Sequence, residues 1–187
     1  MSADEGPPIY TKTGDDGSTG RLFGGRVSKA DPVIELCGTV DEAVAALGLA
    51  RAFLDDELAE PVFALQRGLF VVAAEIAANP RERDRLVAGV SRVSAEMTAA
   101  LEATIDRLVA ERPLRPAFVV PGANASSAAL DLARTSLRRA ERQLVAARRR
   151  DVAIEPALIA YVNRASDLAY VLARRAAGAA DEPLSHD

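Results

Sequence analysis

From Asn124 to about Arg149, the small and apolar residues Ala129, Ala133, Leu137, Ala140 and Leu144 recur every three or four positions, with polar residues between them. That spacing draws one narrow apolar stripe along a helix and leaves its other face charged. A stripe built largely of alanine lets a neighbouring backbone approach closely, so the chain is constrained to helix-on-helix packing. The same period returns along much of the chain. Thr39-Val40-Asp41-Glu42 has the form of a capping box, with Thr39 as N-cap and Glu42 three positions on. The helix it predicts buries Val40, Ala43, Val44, Leu47 and Ala50, with Leu54 a turn further on. Pro61 suits the first turn of a second helix carrying Phe63, Leu65, Leu69 and Val72, stopped by Asn79-Pro80. A helical pattern runs again from Arg81 to Glu111, broken near Gly89, with Met97, Leu101, Ile105 and Leu108 or Val109 in step.

Pro113 and Pro116 force a connection into the extended segment Ala117-Phe118-Val119-Val120, closed by Pro121-Gly122, and Asn124 caps the helix that follows. Pro156 opens the last helix, with Ile159, Val162, Ala169, Val171 and Leu172 as its apolar members, and Gly178 ends it beyond Ala177. The expected organisation is one domain: an extended glycine-rich arm over residues 1–38, an all-α up-and-down bundle over 39–178, and a solvated tail over 179–187. No internal repeat is present.

Composition supports this reading and removes several functions. Apolar residues make up 49% of 187, enough for one sizeable core, while tryptophan is absent and aromatics are 4%, so Ala, Leu and Val must fill it. A net charge of -4 gives no bulk attraction to nucleic acid or to an anionic membrane. The strongest apolar run, Leu69 to Ala74, is interrupted by Glu75 and is far too short to span a bilayer. Cys37 has no partner for a disulfide and reads as a small buried hydrophobe. The start of the chain is acidic, with no apolar leader pattern, and a cytoplasmic location is expected. The only histidine, His186, lies in the tail, so neither a Ser–His–Asp set, a zinc site nor a di-iron Glu-x-x-His pair is expected.

Chemistry-bearing residues gather in two places. The first is Tyr10-Thr11-Lys12-Thr13-Gly14-Asp15-Asp16-Gly17-Ser18-Thr19-Gly20, followed by Gly24-Gly25-Arg26-Val27-Ser28-Lys29. Backbone N–H groups, hydroxyls and two ammonium groups in such a segment can wrap a phosphate chain, and Asp15 can hydrogen-bond the loop or approach a magnesium–phosphate unit. It lacks the Walker A spacing and the preceding strand, so a plain turn-rich arm is the competing reading. The second is Arg134, Arg138 and Glu141, spaced to share one helix face. Two guanidiniums there can converge on a polyphosphate, or the face can simply meet water. Asn163 and Asp167 form another helical pair, and an inward mid-helix Asn either holds a ligand or satisfies a neighbouring carbonyl. Asp41 is placed for a salt bridge, across subunits or within one. Phe118 is either core or stands against a flat ligand.

Taken in order, these pieces resemble the PduO-type ATP:cob(I)alamin adenosyltransferases. The matching segments are the arm from Tyr10 to Gly20, Gly25 to Lys29, Gly38-Thr39-Val40-Asp41-Glu42, Phe118 to Gly122, Ala133-Arg134 with Arg138 to Arg142, and Asn163 to Asp167. The resemblance implies a five-helix bundle that forms a homotrimer with ATP at subunit interfaces. It implies transfer of the 5'-deoxyadenosyl group of ATP to the cobalt of a reduced corrinoid, with Mg2+ as cofactor and adenosylcobalamin and triphosphate as products. By the same likeness Thr11, Lys12, Thr13, Gly14, Asp15, Ser18, Thr19 and Lys29 line the phosphates, and Arg134, Arg138, Glu141 and Asn163 complete the nucleotide site. Arg134 would pair with Asp41 of the neighbouring chain, and Phe118 would sit against the corrin and displace its lower base. A corrinoid reductase and an adenosylcobalamin-dependent acceptor enzyme are the implied partners. This sequence carries Asp131 where the family commonly has His, Ala123 where a Gly is usual, and Cys37 in place of a frequent Tyr. The rival readings are a non-catalytic ATP- or corrinoid-binding carrier and, more remotely, a nucleic-acid-binding bundle using Arg138 to Arg150, which the acidic balance opposes.

Overall fold

The computed structural model describes residues 9–180 and the backbone of 182–183; residues 1–8, 181 and 184–187, which include the acidic start, Pro7-Pro8 and His186, lie outside the described residues. The arm folds first into a short antiparallel ribbon, β1 (Ser18–Gly20) against β2 (Arg26–Ser28), with Thr19 opposite Val27. Gly24 and Gly25 turn it at φ 92° and 87°, a region that glycine enters without strain. Leu22 N–H donates to the carbonyl of Ala77, and Asn79 Nδ2 donates to that of Gly24 at 3.1 Å, so the ribbon is pinned to the bundle at one helix end.

α1 spans Pro32–Arg51, beginning eight residues before the expected start. Asp31, not Thr39, is the N-cap: its carboxylate accepts from Val33 N–H at 2.9 Å, and Pro32 occupies the first helical position, where no amide partner is needed. Thr39 lies mid-helix, buried, with its hydroxyl 2.6 Å from Gln143 Oε1, and Glu42 pairs with Arg139 rather than capping anything. α2 (Asp56–Ala77) likewise starts early, capped by Asp55 on Leu58 N–H at 3.1 Å. Pro61 therefore stands inside the helix instead of at its first turn. Phe63, expected in the core, is 42% exposed and lies under the Arg51 guanidinium at 4.8 Å.

The helix expected from Arg81 is not continuous. Pro80–Arg85 forms a short 3-10 segment, residues 86–94 form a turn, and α3 begins only at Ala95 and runs to Glu111. A buried carboxylate explains the break: Glu75, 1% exposed, accepts from Arg83 Nη2 at 3.0 Å and from Val93 N–H at 2.7 Å. A helix through this stretch would leave that carboxylate without these donors. β3 (Val119–Val120) follows α3 and pairs with β4 (Glu182–Pro183), so the run expected as a solvated tail returns to the molecule there.

α4 (Ala125–Arg148) opens with a reciprocal cap. Asn124 accepts from Ser127 N–H at 2.8 Å, and Ser127 Oγ accepts from Asn124 N–H at 3.1 Å. α5 (Pro156–Ala177) starts at its proline and ends on Gly178 at φ 65°. α4 packs between α1 and α5, antiparallel to both; α2 lies on α1, and α3 runs alongside α5. The stripe Ala129, Ala133, Leu137, Ala140, Leu144 is buried throughout, against Val40, Ala43 and Leu47 of α1 and Val162, Ala169 and Leu172 of α5. Where α2 crosses α5, the hydroxyl of buried Tyr161 fills the space a Cβ on Gly68 would need, at 1.8 Å, so only glycine permits this approach.

Candidate functional site between helices α4 and α5

The apolar stripe of α4 faces inward, which turns Arg134, Arg138 and Glu141 together to one side of the α4–α5 seam. Two clefts open along it. One, of about 610 Å³, is lined by Arg134, Arg138, Arg164, Asp167, Tyr170 and residues of α3; its neighbour, about 470 Å³, is lined by Arg138, Glu141, Arg142 and Asn163. Arg138 borders both. Asn163 Nδ2 donates to Glu141 Oε1 at 2.9 Å across the seam, so the mid-helix Asn is engaged side chain to side chain, and its own carbonyl accepts from Ser166 Oγ at 2.9 Å. Asp167 is held by Arg164 at 2.6 Å, and Arg164 also reaches Glu102 of α3 at 3.1 Å.

Arg138 has no carboxylate within ion-pair distance among the described residues, although carboxylates pair with Arg164 and Arg139 close by. An exposed guanidinium bordering two clefts has the charge and the donors to receive an anion. Arg134 is different: its Nε donates to Asp131 Oδ1 at 3.1 Å within its own helix. Asp41 of the same chain is exposed on α1 and makes no ion pair among the described residues. Phe118 stands 85% exposed at the foot of the bundle, immediately before β3, so the core alternative for this ring is excluded.

The arm is organised by its own polar groups. Asp16 Oδ1 accepts from Ser18 N–H at 2.9 Å and Ser18 Oγ at 2.7 Å, which closes a turn and holds the Asp16 carboxyl below its ordinary pKa. Arg26 reaches back over it, with Nε 3.0 Å from Ser18 Oγ and a terminal nitrogen on the carbonyl of Thr13. The hydroxyls of Thr11 and Thr13 lie 2.8 Å apart, and Lys12 holds φ 58° with its ammonium 5.9 Å from the Tyr10 ring centroid. Lys29 Nζ comes within 3.2 Å of where a Cβ on Gly14 would sit, so the absence of a side chain there lets the ammonium lie against the turn. Asp15 is exposed, and Thr19 is set in β1. Lys12 and Lys29 have no ion-pair partner among the described residues.

Arg26 and Asp16 were not among the expected site residues, yet they shape the arm; the Asp-x-Ser spacing of an Asx turn was the available signal. Among the described residues no hydrogen bond or ion pair joins the arm to Arg134, Arg138, Glu141 or Asn163. The arm docks instead on Ala77 and Asn79, at the end of α2. One chain thus carries two cationic groups of residues that no bond joins among the described residues.

A helical bundle with an anion-receptive α4–α5 seam and a glycine-turned, lysine-bearing arm defines the class. Residues 9–176 match the family model for cobalamin adenosyltransferase, and the chain belongs to that family. It is 40% identical over 167 residues to a corrinoid adenosyltransferase of Citrobacter freundii, covering 89% of this chain and 93% of that one. With the corrinoid adenosyltransferase PduO of Salmonella typhimurium it shares 41% identity over 170 residues, 89% of this chain but 48% of that longer protein. Among solved structures, a phenylalanine-to-alanine variant of the PduO-type ATP:corrinoid adenosyltransferase from Lactobacillus reuteri, complexed with cobalamin and ATP, superposes with a TM-score of 0.83 at 28% identity. That superposition covers 96% of this chain and 100% of the other. An arginine-to-lysine variant of the same enzyme with ATP gives 0.81 at 29% identity, covering 95% and 100%.

Proposed function

We propose that this protein transfers the 5'-deoxyadenosyl group of ATP to the cobalt of a reduced corrinoid, releasing triphosphate; its relatives are named as corrinoid and ATP:corrinoid adenosyltransferases. The observation that carries the reading is the seam where Arg138, without a carboxylate partner among the described residues, borders both clefts beside the Asn163–Glu141 pair. Cobalt(I) is itself a strong nucleophile, so no general base is required. The protein must place ribose C5' in line with the cobalt and stabilise charge on the departing triphosphate. Arg134 and Arg138 do this from the helices; Thr11, Lys12, Thr13, Gly14, Ser18, Thr19 and Lys29 do it from the arm.

No bond joins the two cationic groups within one chain among the described residues, which supports a site completed between copies, in a homotrimer whose arm from one subunit meets the α4–α5 seam of the next. Asp41 of that neighbour then lies within reach of the terminal nitrogens of Arg134. Phe118, exposed and aromatic, offers a flat apolar face to the corrin and excludes a lower axial base.

A magnesium ion fits the donor set: it favours phosphate oxygens and water with one or two carboxylates, and Asp15 is an exposed carboxylate without a hydrogen-bond partner among the described residues. When bound with ATP it supplies further neutralisation of the triphosphate. Among the described residues no helix is long and apolar enough to cross a membrane. We place the protein in the cytoplasm, with a corrinoid reductase supplying substrate and an adenosylcobalamin-dependent enzyme receiving product. An anaerobic assay with ATP and chemically reduced cobalamin tests the activity. Light-sensitive adenosylcobalamin and triphosphate must appear together, whereas ATP binding without product would make the protein a carrier.

A further inference from the structure

Asp131 is 4% exposed and lies one helical turn before Arg134 on α4. Its two oxygens serve two different guanidiniums: Oδ1 accepts from Arg134 Nε at 3.1 Å, and Oδ2 accepts from Arg174 Nη2 of α5. Arg174 is itself 6% exposed, and its guanidinium lies 5.4 Å from the ring centroid of Tyr170, which lines the same cleft as Arg134. Arg134 is 25% exposed at its side chain, against 5% for Asp131. The arrangement is therefore graded from core to cleft.

We propose that Asp131 is a positioning residue that aims Arg134 at the leaving triphosphate. A guanidinium has five N–H donors in one plane, and engaging the edge that carries Nε–H and one Nη–H leaves the other three Nη hydrogens for the cleft that Arg134 lines. Arg174 fixes the carboxylate from the second helix, so the plane of Arg134 is set by both sides of the seam. A lysine at 134 could not be held at one edge and reach with another. The proposal rests on the adenosyltransferase reading for the identity of the anion.

A buried ion pair can also serve folding alone, so the test is a double-mutant cycle. Asp131→Asn, Arg134→Ala and the double variant are compared for kcat/KM with ATP and for affinity toward ATP and inorganic triphosphate. If Asp131 acts through Arg134, Asp131→Asn lowers kcat/KM by about 10- to 100-fold. It then lowers it no further in the Arg134→Ala background. Equal losses in both backgrounds would overturn the proposal and leave Asp131 a structural residue. Should Asp131→Asn fail to fold because Arg174 loses the Asp131 carboxylate, the cycle is repeated with Arg174→Met present throughout. Wild-type protein that binds triphosphate but makes no adenosylcobalamin would sink the functional reading alone, and the cycle on triphosphate affinity would still decide the role of Asp131. Wild-type protein that binds neither anion would overturn both.

Discussion

The arm and the α4–α5 seam carry the same kind of charge but are built in opposite ways. The seam rests on a continuous core, from Ala129 to Leu144 on one helix and Leu158 to Leu172 on the other, so its side chains emerge from packed backbone. The arm has little beneath it. Its shape comes from glycine turns, the Asp16–Ser18 turn, Arg26 and a few hydrogen bonds to the end of α2. The contrast separates two ways of losing function: changes in the seam reach both folding and chemistry, whereas changes in the arm reach the ligand alone.

The sharpest break of that contrast is Arg138→Ala. It removes an exposed charge that nothing in the core needs, so turnover should fall at least 100-fold, on the order seen for loss of one transition-state donor, with Tm unchanged. Steady-state kinetics beside thermal melting checks this; near-normal rates would remove Arg138 from the mechanism. Gly68→Ala is the opposite case, structural and at a residue that lines neither cleft of the seam. The new methyl meets the Tyr161 hydroxyl, and stability should drop by about 1–3 kcal/mol in urea unfolding. Lys29→Ala should raise KM for ATP about tenfold, as loss of one charge-assisted contact does, and leave the urea midpoint in place. Phe118→Ala should leave ATP affinity as it was and increase the base-on fraction of bound cob(II)alamin in absorption spectra. The smallest effect concerns pH. Burial, with a smaller push from Asp41, raises the Cys37 thiol from 9.0 to about 11. Folding then keeps a proton that the unfolded chain releases, so stability is full below pH 9.0 and declines as pH rises toward about 11. Cys37→Ala should flatten that decline.

The two regions also differed in how far the sequence could be read. The core of the seam was legible because a helical period is a local property: Asn124, the alanine stripe, Pro156 and Gly178 all fell where pattern and caps placed them. Helix starts nearer the arm were not. Thr39-Val40-Asp41-Glu42 satisfies the capping-box pattern inside a helix, while the true cap, Asp31 before Pro32, follows an equally valid rule. Only the packing of Val33 and Leu36 into the core decides between them. Glu75 looked like an interruption of an apolar run; its partners Arg83 and Val93 come from a loop whose shape the carboxylate itself sets. At the seam, Asp131 stood out in the sequence only as a departure from the family's usual His; its pairing with Arg134 was not read, and Arg174 joins it from 43 positions away. Contacts of that separation are set by the tertiary fold.

The central claim is that arm and seam from different subunits close around one triphosphate. Subunits carrying Lys12→Ala and Lys29→Ala can be unfolded and reassembled at equal ratio with subunits carrying Arg138→Ala, and adenosylcobalamin formation measured anaerobically. Random mixing in a cyclic trimer restores about a quarter of the sites with both intact halves, so activity should return to roughly that fraction of wild type from two nearly inactive parents. Activity that stays at the parental level after mixed assemblies have formed would contradict the account.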